Sequence, residues 1–371
     1  MKQLRSIQAL RAIAALAVMC AHLHGIEARH SGESPLLSAA WIAGVSGVDL
    51  FFVISGFVMV WVAGDTTPGW RQSASFLFAR ATRIYPLWWL FALAMAGYFI
   101  LSYGVPWDAE KLAPVNVSGI EHLWKSFLLV PHAAFPILPL GWTLMHEMYF
   151  YLAFALVLLL PQRFRLPACV IWGLVIVASL STGMTGFYAD SIVSLLLFPM
   201  TLEFLMGAGV AWLIKSGETR FAWIALPSSL FGLVWAYLTV NFLDTAALLP
   251  TLRTFTYGPA FALLLYALVS LELSGKLDRL IPQALVHIGD WSYSLYLCHI
   301  LVISAFARVF FPAFSAAGFV DNAAFLILSS GAALAVSWVS YTWFERPILG
   351  ATRRVRRSWS ANSPPTPIKH A

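Results

Sequence analysis

Apolar stretches of about twenty residues recur along nearly the whole of this 371-residue chain. About twenty residues is the length an α-helix needs to cross the roughly 30 Å hydrocarbon core of a bilayer. In lipid every backbone polar group must find a partner within the protein, which leaves helices and closed barrels as the only spanning structures. Composition agrees: 60% of the residues are hydrophobic and 11% charged, against about 45–50% apolar and about 25% charged in soluble domains. Spans are expected near 7–24, 41–63, 86–104, 141–160, 166–181, 190–214, 221–241, 253–273, 284–310 and 323–344. The fold class is therefore an all-α integral membrane protein of about ten transmembrane helices. Residues 1–350 form the membrane domain, and 351–371 form a basic, disordered cytoplasmic tail. The first stretch runs past Arg11 and lacks a small-residue cleavage pattern, so it reads as a retained helix. Cys20, Cys169 and Cys298 lie within apolar stretches without paired spacing, which supports neither a disulfide framework nor a metal site.

An even number of spans puts both termini on one side. That side carries seventeen of the 23 Lys and Arg residues, and the other side five. The positive-inside bias assigns the basic side, and with it the N- and C-termini, to the cytoplasm. The net charge of +6 follows from the same bias, and the basic residues are spread over several loops. No nucleic-acid-sized patch results, so nucleic acid is not an expected partner.

Ionisable residues inside apolar helices are expensive and are functional candidates by default. Arg11 and His22 lie eleven positions apart, which brings them within about 20° of one helix face and about 16 Å along the axis. The second span contains Asp49 and a small Ser55-Gly56 pair, a pattern that suits either close helix packing or approach of a ligand. Glu147 shares a face with Thr143 and Tyr151 at i−4 and i+4. His22, Asp49 and Glu147 reach similar depth from three helices, and a carboxylate beside an imidazole is the usual way to orient a general base. Arg80 and Arg83, at i and i+3, fit one face of a short interfacial helix that could grip phosphates or lipid headgroups. Ser292, Tyr296 and His299 form a further stripe at i, i+4 and i+7.

The pair Arg11 and His22, the run Phe51-Phe52-Val53-Ile54-Ser55-Gly56-Phe57, the Arg80-x-x-Arg83 pair and the segment Trp142-Thr143-Leu144-x-x-Glu147 occur in this order. They are followed by Ser292-Tyr293-Ser294-Leu295-Tyr296-Leu297-x-His299 and Phe344-Glu345-Arg346-Pro347. Together these motifs resemble the acyltransferase-3 family of membrane-bound O-acyltransferases, and its exopolysaccharide-modifying branch above all. The resemblance implies a bacterial cytoplasmic (inner) membrane enzyme that moves an acyl group, expected to be acetyl, to a hydroxyl of a surface polysaccharide or its precursor. The donor is acyl-CoA as a co-substrate, with no permanently bound cofactor. It further implies His22 as general base with Asp49 or Glu147 behind it, and Arg11, Arg80 and Arg83 as the acyl-CoA-binding residues. Ser55, Gly56, Trp142, Tyr151, Ser292, Tyr296 and His299 are expected to line the cavity. The expected partners are acyl-CoA, a free or lipid-linked carbohydrate acceptor and membrane lipids. A glycan or small-metabolite transporter would use the same polar stripe as a passage, although no internal repeat is visible.

Overall fold

The computed structural model describes residues 3–30, 35–182, 191–242, 249–277, 280–313 and 318–361. Lys2, Arg279 and Lys369 of the basic set lie outside them. In chain order the helices are α1 (Arg5–His30), α2 (Gly47–Ala63), α3 (Trp70–Tyr103), α4 (Ala109–Leu112), α5 (Gly119–Leu128), α6 (Gly141–Val157) and α7 (Gln162–Ser179). There follow α8 (Ile192–Leu196), α9 (Thr201–Lys215), α10 (Ala222–Phe242), α11 (Leu249–Leu273), α12 (Gln283–Asp290), α13 (Ser292–Ala313), α14 (Phe319–Ser340) and α15 (Arg346–Ala361). There is no strand among the described residues, so the fold is that of an all-α membrane protein. Leu101, Phe231, Val309 and Ile327 are among the large apolar side chains left exposed, as a lipid-facing exterior requires. In α11, 72% of the apolar stretch is buried, against 17% in α7 and in α10. That contrast puts α11 at the centre of the bundle and α7 and α10 at its rim.

Eight helices are long and apolar enough to span a bilayer, and two of the ten expected spans are shorter. At 17 and 15 residues, α6 and α9 are about 25 Å and about 22 Å long. The expected span 190–214 is interrupted. Ser191 caps α8, the chain turns through Leu197–Met200, and α9 starts anew after Pro199, which cannot donate to a helical ladder. Irregular backbone is tolerated at this depth because protein covers it: Phe198 and Met200 are buried, and Trp172 Nε1 donates to Leu196 O at 3.0 Å.

In place of a short interfacial helix followed by a span at 86–104, α3 is one helix of 34 residues that contains Pro86 and carries Arg80 and Arg83 in its first half. Gly104, at φ +76°, ends it in the left-handed conformation that glycine tolerates. The segment expected to be disordered after residue 350 is helical as far as Ala361, and 362–371 lie outside the described residues. A π-turn at Tyr341–Glu345 joins α14 to α15.

Small residues set the closest helix crossing. A Cβ on Gly56 would lie 1.8 Å from Phe204 O, and one on Gly207 would lie 1.8 Å from Val53 O. The backbones of α2 and α9 therefore touch through two reciprocal glycines, the arrangement that lets helices associate where lipid removes the hydrophobic drive. Gly56, expected on the cavity wall, is instead a packing residue. The same side of α2 carries Asp49, which accepts a hydrogen bond from Arg253 Nη2 of α11; that nitrogen also reaches Val45 O at 3.1 Å. Glu203 of α9 adjoins this ion pair. Asp49 and Glu203 are fully buried, so three helices are tied together by charge in the interior.

Candidate functional site: an arginine-lined cavity beneath a histidine pair

The opposite face of α2 lines a cavity of about 820 Å³ of empty space between α1, α2, α3, α6 and α13. Along α2 its wall runs from Val48 and Phe51 through Ser55 to Val58, one helical face at spacings of three and four. Arg11, Arg80 and Arg83 all reach the lining, with Glu147 as the one carboxylate among the residues that form it. The chamber is thus net positive. Arg80 is held by aromatic faces, its guanidinium carbon 5.3 Å from the Phe76 ring centre and 5.6 Å from that of Tyr151. Its Nε is buried without a hydrogen-bond partner among the described residues. Arg11 donates from Nε to Ser292 Oγ at 3.2 Å, and Ser292 donates to Gly289 O at 2.8 Å.

Glu147 accepts hydrogen bonds from Ser55 Oγ at 2.9 Å and from the Tyr151 hydroxyl. Thr143, Glu147 and Tyr151 all face the cavity. At the end farther from the arginines, Thr143 Oγ1 donates to Leu140 O at 2.9 Å and therefore accepts from the Tyr296 hydroxyl, also at 2.9 Å. Phe51 stands edge-on to Tyr296 with ring centres 5.8 Å apart. Trp142, expected on the wall, instead packs against Phe52 and His146.

His22 and His299 stand just beyond this cavity and do not line it. Their ring centres are 5.1 Å apart, with His22 Nδ1 3.1 Å from His299 Nε2; Tyr296 is the next ring, its centre 6.1 Å from that of His299. The carboxylate expected behind His22 is not there. Asp49 belongs to the ion pair with Arg253 on the far side of α2, and Glu147 is bonded to Ser55 and Tyr151 inside the chamber. Depth along a helix was legible in the sequence, whereas rotation about it decides what a side chain meets.

Three participants escaped the sequence reading. Arg253 counted there as a loop cation, although an arginine in the first turn of an apolar span is itself a signal for a buried partner. Tyr293 lines the cavity. Glu345, at the end of the π-turn, accepts from Ser294 Oγ at 2.8 Å and lies within electrostatic reach of Arg11 and Arg83.

A multi-pass helical membrane protein with a cationic interior chamber and an imidazole at its end is the class these features define. The sequence pattern described as acyltransferase domain, that of the acyltransferase-3 family, matches residues 4–342. The chain belongs to this family and is an acyltransferase. It is 34% identical over 331 residues to the exopolysaccharide production protein ExoZ of Rhizobium meliloti (strain 1021), covering 84% of this chain and 92% of that protein. It is 30% identical over 329 residues to the acyltransferase MdmB of Streptomyces mycarofaciens, covering 81% and 79%. Protein 2 in the picA locus of Rhizobium radiobacter is 31% identical over 159 residues, covering 38% of this chain and 75% of that protein. No solved structure matches.

Proposed function

We propose that this acyltransferase moves an acetyl group from acetyl-CoA, held from the cytoplasmic side, to a hydroxyl of an exopolysaccharide or its lipid-linked precursor at the bacterial inner membrane. The observation that carries the reading is the convergence of Arg11, Arg80 and Arg83 on one cavity, inside a chain of this family. Guanidiniums suit the phosphates of a CoA donor because their planar forks bind such oxygens bidentately. A chamber that runs from these arginines to Tyr296 suits an extended acyl-pantetheine arm, whose thioester would emerge near His22. The polysaccharide acceptor is supported by the printed description of the Rhizobium meliloti relative.

In this reading His22 Nε2 takes the proton of the acceptor hydroxyl as its oxygen attacks the thioester carbonyl carbon. A C–O bond forms, the C–S bond breaks, and the CoA thiolate leaves with the proton that His22 returns. Arg11, Arg80 and Arg83 hold the donor, while Ser55, Glu147 and Tyr151 shape its path.

The test is transfer of label from radiolabelled acetyl-CoA to host polysaccharide by the purified chain in lipid nanodiscs. Wild type should label the polysaccharide, and Arg83→Ala should raise the KM for acetyl-CoA. Intact acetyl-CoA in every sample, together with flux of glycan across the bilayer, would replace the proposal with transport.

A further inference from the structure

His22 touches another titratable side chain only at His299, and we infer that His299 is the positioning residue of the transfer. It is a neutral imidazole standing where other catalytic histidines have a carboxylate. The inference rests on the reading of His22 as base, and its argument is one of valence. A carbonyl can only accept, so the ring nitrogen facing Leu295 O at 2.9 Å, Nδ1 of His299, carries its proton. The neutral ring then has a bare Nε2, which can only accept from Nδ1 of His22 at 3.1 Å. Val18 O, 2.9 Å from the same His22 nitrogen, is also an acceptor. Both neighbours demand N–H at His22 Nδ1 and leave the lone pair on Nε2, the atom a general base needs. Among the described residues Nε2 has no hydrogen-bond partner.

The Val18 carbonyl belongs to α1 itself, so it can hold the tautomer but cannot fix the ring relative to the rest of the site. His299 does that from α13, the helix whose Tyr296 closes the chamber and whose Ser292 holds Arg11. When His22 takes a proton, the inner N–H of the imidazolium already has two acceptors. His299 is fully buried, and a neutral acceptor stabilises the imidazolium without adding a second charge inside a membrane span.

The test compares wild type, His299→Gln and His299→Leu, each as the full chain in nanodiscs with radiolabelled acetyl-CoA and polysaccharide. Glutamine can turn its carbonyl oxygen to His22 from about the same position; leucine fills the space and accepts nothing. The expected result is a fall in kcat of at least about tenfold for His299→Leu, KM for acetyl-CoA within about twofold, and recovery to within about threefold of wild type for His299→Gln. Wild-type kcat in His299→Leu, or equal loss in both variants, overturns the inference. Nuclear magnetic resonance of isotope-labelled histidine, with His22→Gln used to assign the signal, provides a readout that needs neither variant. His22 should carry its proton on Nδ1, and a proton on Nε2 overturns the inference even in a chain that transfers. No transfer by wild type sinks the proposed function and the role of His299 with it, whereas transfer unaffected by His299→Leu sinks this inference alone.

Discussion

Two histidine pairs in this chain are wired alike and surrounded differently. In the segment between α3 and α6, His122 Nδ1 lies 3.2 Å from His132 Nε2, and His132 Nδ1 bonds Val130 O at 3.0 Å. This repeats the chain of contacts from His22 through His299 to Leu295 O. Yet His122 and His132 are both 4% exposed, with Lys125 and Glu121 charged beside His132 and Asp108 near His122. His22 is half-buried, and the other titratable group in contact with it is the neutral ring of His299. A hydrogen-bonded histidine pair by itself is a packing device. It becomes suited to catalysis when the outer ring keeps a nitrogen that a substrate can reach, and access to that nitrogen separates the two sites.

The comparison breaks first at His22. Replacing it with alanine should lower transfer by about 10²–10⁴-fold, while His122→Ala leaves kcat within about twofold; a similar loss in both would erase the distinction. Next in size is a control on the fold. Arg253→Leu leaves the buried Asp49 carboxylate unpaired and should cost about 3–5 kcal/mol. Thermal stability in detergent and transfer should then fall together, whereas His22→Ala loses transfer alone. A matching melting curve for His22→Ala and Arg253→Leu would reduce His22 to a structural residue.

Acid sharpens the contrast. Burial first, and then the charge of His132, pushes His122 down to about 4, and burial also holds His132 below its ordinary value. Groups held low stabilise the fold while neutral, so their contribution is complete above the ordinary histidine value of about 6.5 and is lost as pH falls toward 4. Hydrogen exchange at the α5 amides should accelerate over that window and stay flat from pH 7 to about 9, measured against α13 as reference. Unchanged α5 protection at pH 4.5 would contradict it. The smallest effect is expected at Tyr296→Phe, which removes the O–H that donates to Thr143. One neutral hydrogen bond is worth about 1 kcal/mol, so kcat should change by less than about tenfold.

Much of the architecture was legible because lipid forces it. Apolar length gave the spans, and the i, i+4 spacing of Thr143, Glu147 and Tyr151 put on one face three residues that all line the cavity. What remained hidden was rotation and partnership. Asp49 and Gly56 are seven positions apart and therefore share a face of α2, the one turned to α9 and α11; Phe51 and Ser55 lie on the other. Counting turns from Gly56 as a packing residue would have turned Asp49 away from His22. The pairing of His22 with His299 spans 277 positions, and no local spacing rule reaches that far. The breaks in the span pattern have local causes, Pro199 before α9 and the tolerated Pro86 within α3, yet their outcome depends on which neighbours cover the freed backbone.

The glycine crossing of α2 and α9 also decides which wall of the chamber can yield. Backbone touching backbone leaves no side chain to rotate out of the way, so α2 is a fixed jamb, bolted from behind by the ion pair of Asp49 and Arg253. Across the chamber α6 and α13 meet through the hydroxyls of Thr143 and Tyr296, a latch that one rotamer change releases. Whatever widens the passage between the arginines and the histidine pair must swing on that seam, with α2 as the side that stays still.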